Sequence, residues 1–193
     1  LCGMTAPMLN LPTAFIGALG LVLVPKLAQA TALGQGERVR RRIDRAMLAT
    51  SVLILPSMAL LVVLGPAVGE LLFREESAGD YILPLSIGVA LSCYQSVLSG
   101  ALNGVGRQRA AARNAILSAA VQLGCTYFLM SLPGVGLGGY VAGFVLSSLL
   151  GMLLNWRQVR RCTGLQPQLF QWCTAPALAS VLAGLCTNLL FRV

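Results

Sequence analysis

Six long apolar stretches, each free of charge except near an end, leave this chain few folds to choose from. They run Met4 to Pro25, Ala46 to Gly69, Tyr81 to Asn103, Ala115 to Leu132, Leu137 to Trp156 and Thr174 to Phe191. Crossing the hydrocarbon of a bilayer takes about 20 mostly apolar residues as a helix. Lipid offers the backbone no hydrogen-bonding partners, so only helices and closed barrels can span it. With 56% hydrophobic and 10% charged residues, the 193-residue chain has too little polar surface to solvate a soluble globule. The expected fold class is therefore all-α, a polytopic membrane helix bundle of about six transmembrane helices. The first stretch is not read as a secretory signal, because it lacks a basic leader and runs too long.

Charge then orients the bundle. Twelve of the fourteen basic residues fall into alternate connections: Lys26, Arg38, Arg40, Arg41, Arg42 and Arg45 after the first stretch, Arg107, Arg109 and Arg113 after the third, and Arg157, Arg160 and Arg161 after the fifth. The other connections hold Arg74 beside Glu75, Glu76 and Asp80, and the uncharged turn "PGVG". The positive-inside rule makes the basic loops cytoplasmic and puts the N-terminal end outside. Arg38, Arg41, Arg42 and Arg45 recur at helical spacing and share one face, with Val39, Ile43 and Met47 turned elsewhere. Anionic lipid of the inner leaflet is the partner expected for these four and for Arg107. In a sharper version some of them meet the phosphate of a lipid-linked substrate. The pI of about 9.8 would also suit nucleic acid. Topology already accounts for the charge, however, and no aromatic residues interleave the arginines, so no nucleic acid is expected.

Catalytic chemistry finds little footing. The chain has no histidine, which excludes Ser-His and Cys-His nucleophile systems and His-ligated metals from it. Its six cysteines, Cys2, Cys93, Cys125, Cys162, Cys173 and Cys186, are scattered and read as small buried hydrophobes or reduced thiols. "GVGLGG", Gly134 to Gly139, has the dinucleotide-binding spacing but joins two spans with no acidic residue downstream, so it reads as a turn and a glycine-lined helix start. The expectation is no enzyme, no catalytic residue, no metal and no cofactor.

Inside the spans the polar residues form stripes. Ser92, Gln95, Ser96, Ser99 and Asn103 lie on one face of the third stretch; Asn114, Ser118, Gln122 and Thr126 repeat the pattern in the fourth; Ser147, Ser148, Gly151 and Asn155 end the fifth. Such faces turn away from lipid. They serve either as packing glue, helped by the close-approach pairs Gly65/Gly69, Gly100/Gly104 and Gly139/Gly143, or as the wall of a polar cavity bounded by Gln95, Asn103 and Gln122. Pro12, Pro56, Pro66 and Pro84 are expected to kink helices or free backbone carbonyls, a habit of transporters with two alternating openings.

"LNLPTAFIGALGLVLVPKLAQATALGQGERVRRRIDRAML", Leu9 to Leu48, resembles a signature of the polysaccharide transporters typified by stage V sporulation protein B. An Asn and a Pro open the helix, Val-Pro closes it, and a basic amphipathic segment follows a loop of small residues. "SGALNGVGRQRAAARNAI", Ser99 to Ile116, and "LPGVGLGGYVAGFVLSSLLGMLLNWRQVRRCTG" are similar to the family's next segments, in the same order. The family belongs to the superfamily of multidrug, oligosaccharidyl-lipid and polysaccharide exporters, which includes the lipid II flippases. Lipid II flippases, similar to this chain around Ala6 to Pro12, carry an Arg and an acidic residue facing the central cavity, where, aligned on Pro12, this chain has Pro7 and Asn10.

The resemblance implies part of the C-terminal lobe of a two-lobe flippase, carrying lipid-linked saccharides, precursors of cell envelope or spore cortex, across the bacterial cytoplasmic membrane by alternating access. It divides the chain into C-terminal-lobe helices over residues 1–173 and an additional transmembrane helix over 174–193. The expected partners are membrane lipids, the lipid-linked saccharide and an N-terminal lobe of the same protein, Leu1 being read as the start of a fragment. The residues expected along the substrate path are Asn10, Gln95, Ser99, Asn103 and Gln122. A cation-coupled multidrug antiporter and a non-transporting scaffold or inactive fragment are the alternatives.

Overall fold

The computed structural model describes residues 23–73, 78–131 and 136–164, with side chains over 23–59, 83–131 and 138–164. These residues form helices, with turns at 33–35 and 105–107: α1 over residues 23–32, α2 (Gly36–Phe73), α3 (Ala78–Gly104), α4 (Gln108–Met130) and α5 (Gly136–Thr163). The chain is all-α, as expected. Apolar stretches two to five correspond to α2 through α5. Most of the first stretch, all of the sixth and the boundary at residue 173 lie outside the described residues. Among the described residues, two helices are long and apolar enough to cross a membrane, Leu83–Gly104 and Gly138–Thr163.

Three helices outrun their apolar stretches by more than a turn, α4 by starting at Gln108 ahead of Ala115. α2 starts at Gly36 and takes in the arginine-rich segment, because Val39, Ile43 and Met47 continue the buried face that Ile54 carries further down. α5 continues past Trp156 because Val159 is still buried, while Arg160 and Arg161 in its last turn face the negative end of the helix dipole. It stops at Gly164, whose φ of 63° suits the left-handed cap. Pro56, Pro66 and Pro84 all sit inside these helices, and none of them ends its helix. Pro12 lies outside the described residues.

α5 is the hub. It shares its broad interfaces with α3 and α4, and α2 packs on α3. α3 and α4 are joined by a turn at 105–107 yet touch each other little, because α5 packs into the angle between them. Small residues permit this approach: a Cβ on Gly139 would come within 2.9 Å of the Leu129 backbone carbonyl carbon, and one on Gly143 within 3.0 Å of Thr126 Oγ1. The surroundings of Gly65 and Gly69 lie outside the described side chains.

Burial in α4 is inverted relative to a water-soluble helix. Ala111, Asn114 and Ser118 are buried, whereas Ile116, Leu123, Tyr127 and Phe128 are 69%, 73%, 75% and 73% exposed. A large apolar face of this kind would be an aggregation hazard in water; lipid solvates it.

Candidate functional site

The cleft that α3, α4 and α5 leave between them is polar. Its cavity of about 520 Å3 is lined from α3 by Ser92, Gln95, Ser96, Ser99 and Asn103, from α4 by Ser118 and Gln122, and from α5 by Ser147 and Ser148. Val24 of α1 and the Phe144 ring add apolar wall. Four of the five sequence-derived path residues, Gln95, Ser99, Asn103 and Gln122, thus share one cavity; Asn10 lies outside the described residues. Ser96 and Ala119 of its lining are exposed.

Depth divides the polar stripes between packing and cavity. At the back of the cleft Asn155 of α5 is only 2% exposed. Its Oδ1 accepts from Asn114 Nδ2 of α4 at 2.9 Å, and its Nδ2 donates to the Gln95 carbonyl of α3 at 3.3 Å. One amide therefore ties three helices. Gln95 Nε2 in turn donates to Ser118 Oγ at 3.2 Å, closing α3 onto α4. Gly151 makes room for that arrangement, since a Cβ there would run into the Gln95 side-chain amide. Elsewhere in the lining Ser99, Asn103 and Gln122 are half-buried, and their side chains make no hydrogen bond among the described residues.

Amides and hydroxyls form the entire polar lining, with no ionisable group among the described residues. Such a wall both donates and accepts hydrogen bonds and offers no fixed charge. It suits neutral polyhydroxyl or amide-bearing groups.

The basic segment at the start of α2 keeps the facing that its spacing predicts. Val39, Ile43 and Met47 are buried, whereas Arg38, Arg41 and Arg45 are exposed and Arg42 is half-buried. Some of these arginines are already engaged within the chain. Arg38 Nη1 donates to Gln35 Oε1 at 2.7 Å, Arg41 pairs with Glu37 at 3.5 Å, and Arg42 donates to the Lys26 carbonyl, fastening α2 to the end of α1. Arg107 is placed elsewhere, at the α3–α4 turn.

Two features outside the cavity lining escaped the sequence. Ser51 and Tyr94 share a hydroxyl–hydroxyl hydrogen bond of 2.8 Å that joins α2 to α3; a Tyr in the middle of a span was the only available hint. Asp44 hides its Oδ1 from solvent without a hydrogen-bond partner among the described residues. Burial pushes its carboxyl above the usual range, against the opposing pull of Arg40 one turn earlier. Its sign among five arginines gives no hint of that burial.

Apolar outer faces around a neutral polar cleft are what a helical membrane carrier requires, and a comparison of families decides which one. The lipid II flippase family, MurJ, matches over residues 5–191. The chain belongs to that family. No curated protein and no solved structure matches it. Membership in the MurJ family places the bundle in the bacterial cytoplasmic membrane, among flippases of lipid-linked saccharide, with membrane lipid against its outer faces. The match takes in essentially all six of the apolar stretches. Of the free cysteines, Cys93 is buried and Cys125 and Cys162 are half-buried; Cys2, Cys173 and Cys186 lie outside the described residues.

Proposed function

We propose that the cleft between α3 and α4 forms one wall of the path along which the saccharide head of a lipid-linked precursor crosses the membrane. The carrying observation is the neutral lining: Gln95, Ser99, Asn103 and Gln122 converge on one cavity without a charge beside them. Sugar hydroxyls and N-acetyl amides exchange water for such groups at little electrostatic cost, whereas a charged wall would hold fixed counter-ions. The protein acts as a carrier and not as an enzyme. A second helical lobe faces the cleft, and rocking of the two lobes opens it alternately to either side. The basic connections lie in the cytoplasm, which sets the turns at 33–35 and 105–107 on the inner side and the N-terminal end outside.

The segments that resemble stage V sporulation protein B support an envelope or spore-cortex peptidoglycan precursor as cargo. Pro7 and Asn10, standing where lipid II flippases carry an arginine and an acidic residue, favour binding through neutral hydrogen bonds on this wall. A cation-coupled antiporter would call for a carboxylate in the cavity, and its lining among the described residues has none.

The test is made in bacteria whose own lipid II flippase can be depleted, with the gene carrying this chain as the sole replacement. Outer-leaflet exposure of lipid II is measured for the parent and for Asn103→Leu and Gln122→Leu. A loss of about tenfold in flipping at unchanged protein level is expected, because each change removes an amide and its hydrogen bonds from the path. Unchanged flipping in both variants would remove this cleft from the transport path.

A further inference from the structure

The turn between α3 and α4 builds a second cavity, of about 720 Å3, distinct from the cleft. Arg107, Arg109 and Arg113 line it, joined by Gln158 from α5 and by Gly106, whose φ of 77° makes the turn. All three arginines are exposed, and none meets a carboxylate; the single ion pair among the described residues is Arg41 with Glu37. The backbone adds to the positive field. α4 begins here with no side-chain cap and no acidic residue in its first turn; the N–H groups of Ala110 and Ala111 bond the Arg107 carbonyl, which leaves those of Gln108 and Arg109, two residues of the cavity lining. Three unpaired guanidinium groups around an uncapped helix start therefore have every donor a phosphate needs and no internal acceptor.

The surface below the cavity identifies the occupant. Arg109, Arg113, Ile116, Ala120, Leu123 and Tyr127 follow one another along one face of α4, all exposed. The face is cationic where α4 begins and apolar for the next three turns. A free phosphate would use only the first part; a phospholipid uses both, its head in the arginines and its acyl chains along Ile116, Leu123 and Tyr127.

We infer that the Arg107–Arg109–Arg113 cavity, continued by the apolar face of α4, is a binding site for one anionic phospholipid on the outside of the bundle. The site rests on the membrane setting that the family gives and not on the cleft being a transport path. Its occupant wedges the α3–α4 turn against α5 through Gln158, at the point where the two walls of the cleft diverge.

The test places the full chain in nanodiscs of phosphatidylcholine containing a minor share of phosphatidylglycerol and counts retained lipids by native mass spectrometry. The parent should retain one phosphatidylglycerol in strong preference to phosphatidylcholine. At about fivefold per arginine near a membrane surface, the triple variant Arg107→Gln/Arg109→Gln/Arg113→Gln should lose about a hundredfold of that preference. Arg38→Gln/Arg41→Gln/Arg45→Gln removes the same charge from another basic segment, where Arg38 and Arg41 are already held by Gln35 and Glu37, and should keep it. Equal loss in both triples would reduce the site to diffuse attraction, and no loss in the first would abolish it. Undecaprenyl phosphate added in competition should leave the retained phosphatidylglycerol in place; its displacement would hand the site to an isoprenyl-linked ligand and overturn the assignment. Should the first triple fail to fold, Arg113→Gln alone decides, with about a fivefold loss expected and no loss refuting.

Discussion

Asn155 offers the sharpest test of how the cleft is held open. Its amide accepts from Asn114 Nδ2 at 2.9 Å and donates to the Gln95 carbonyl at 3.3 Å, with the side chain almost fully enclosed. Replacing it by Ala breaks both bonds and leaves the Asn114 amide without its partner. Hydrogen bonds between membrane helices contribute on average about 0.6 kcal/mol and at most about 1.7, since helices separated within the membrane find other partners. The 2.9 Å bond should fall in the upper part of that range and the 3.3 Å bond in the lower. Asn155→Ala should thus destabilise the chain by about 2 kcal/mol, packing losses included. A double-mutant cycle with Asn114→Ala isolates the pair and should give a coupling of about 1 kcal/mol. The free energies come from reversible unfolding of the purified chain in mixed micelles titrated with dodecyl sulfate. Additivity to within about 0.3 kcal/mol would refute the reasoning, since independent sites add that closely without any bond between them.

Gly104 tests the contact between α1 and α3: a Cβ would lie 2.6 Å from Leu27 Cβ and 3.1 Å from the Val24 carbonyl, so Gly104→Ala should cost about 1–3 kcal/mol in the same unfolding assay. A neutral or stabilising result would mean that the helices part there without penalty. Asp44 should make stability depend on pH. Its carboxyl is raised in the folded chain by burial, so the stability tied to the protonated form is present below the ordinary carboxylate pKa of about 4 and is lost as pH rises through the folded value. Asp44→Asn should therefore raise the thermal midpoint at about pH 7 and change it little at about pH 4. A lower midpoint at neutral pH would show that the ionised carboxylate is satisfied in the folded chain.

The apolar stretches announced the helices, because in lipid the backbone has no alternative to internal hydrogen bonds. Where the helices end was less legible. α2 and α5 extend into their arginine-rich flanks because single apolar residues there, Val39, Ile43 and Val159, still find the core. A hydropathy window averages those residues away among the arginines. The stripes on α3 and α4 were legible as faces that avoid lipid, but their division was not: Asn114, Ser118 and Gln122 follow one another at intervals of about one turn on the same face and look alike on a helical projection.

Composition and spacing alone determined that this chain is a membrane helix bundle, which faces avoid lipid, and where its positive charge gathers; these follow from local periodicity and from solvation by water or hydrocarbon. Tertiary structure decided what each polar residue does. Asn114 and Asn155, 41 positions apart, meet as a buried bond, while Gln122 opens into a cavity with Gln95 and Asn103. That outcome depends on α5 entering the angle between α3 and α4, an approach set by the absent side chains of Gly139, Gly143 and Gly151. Steric fit between distant segments leaves no periodic trace along a single helix, so the cleft becomes visible only once the three helices are packed.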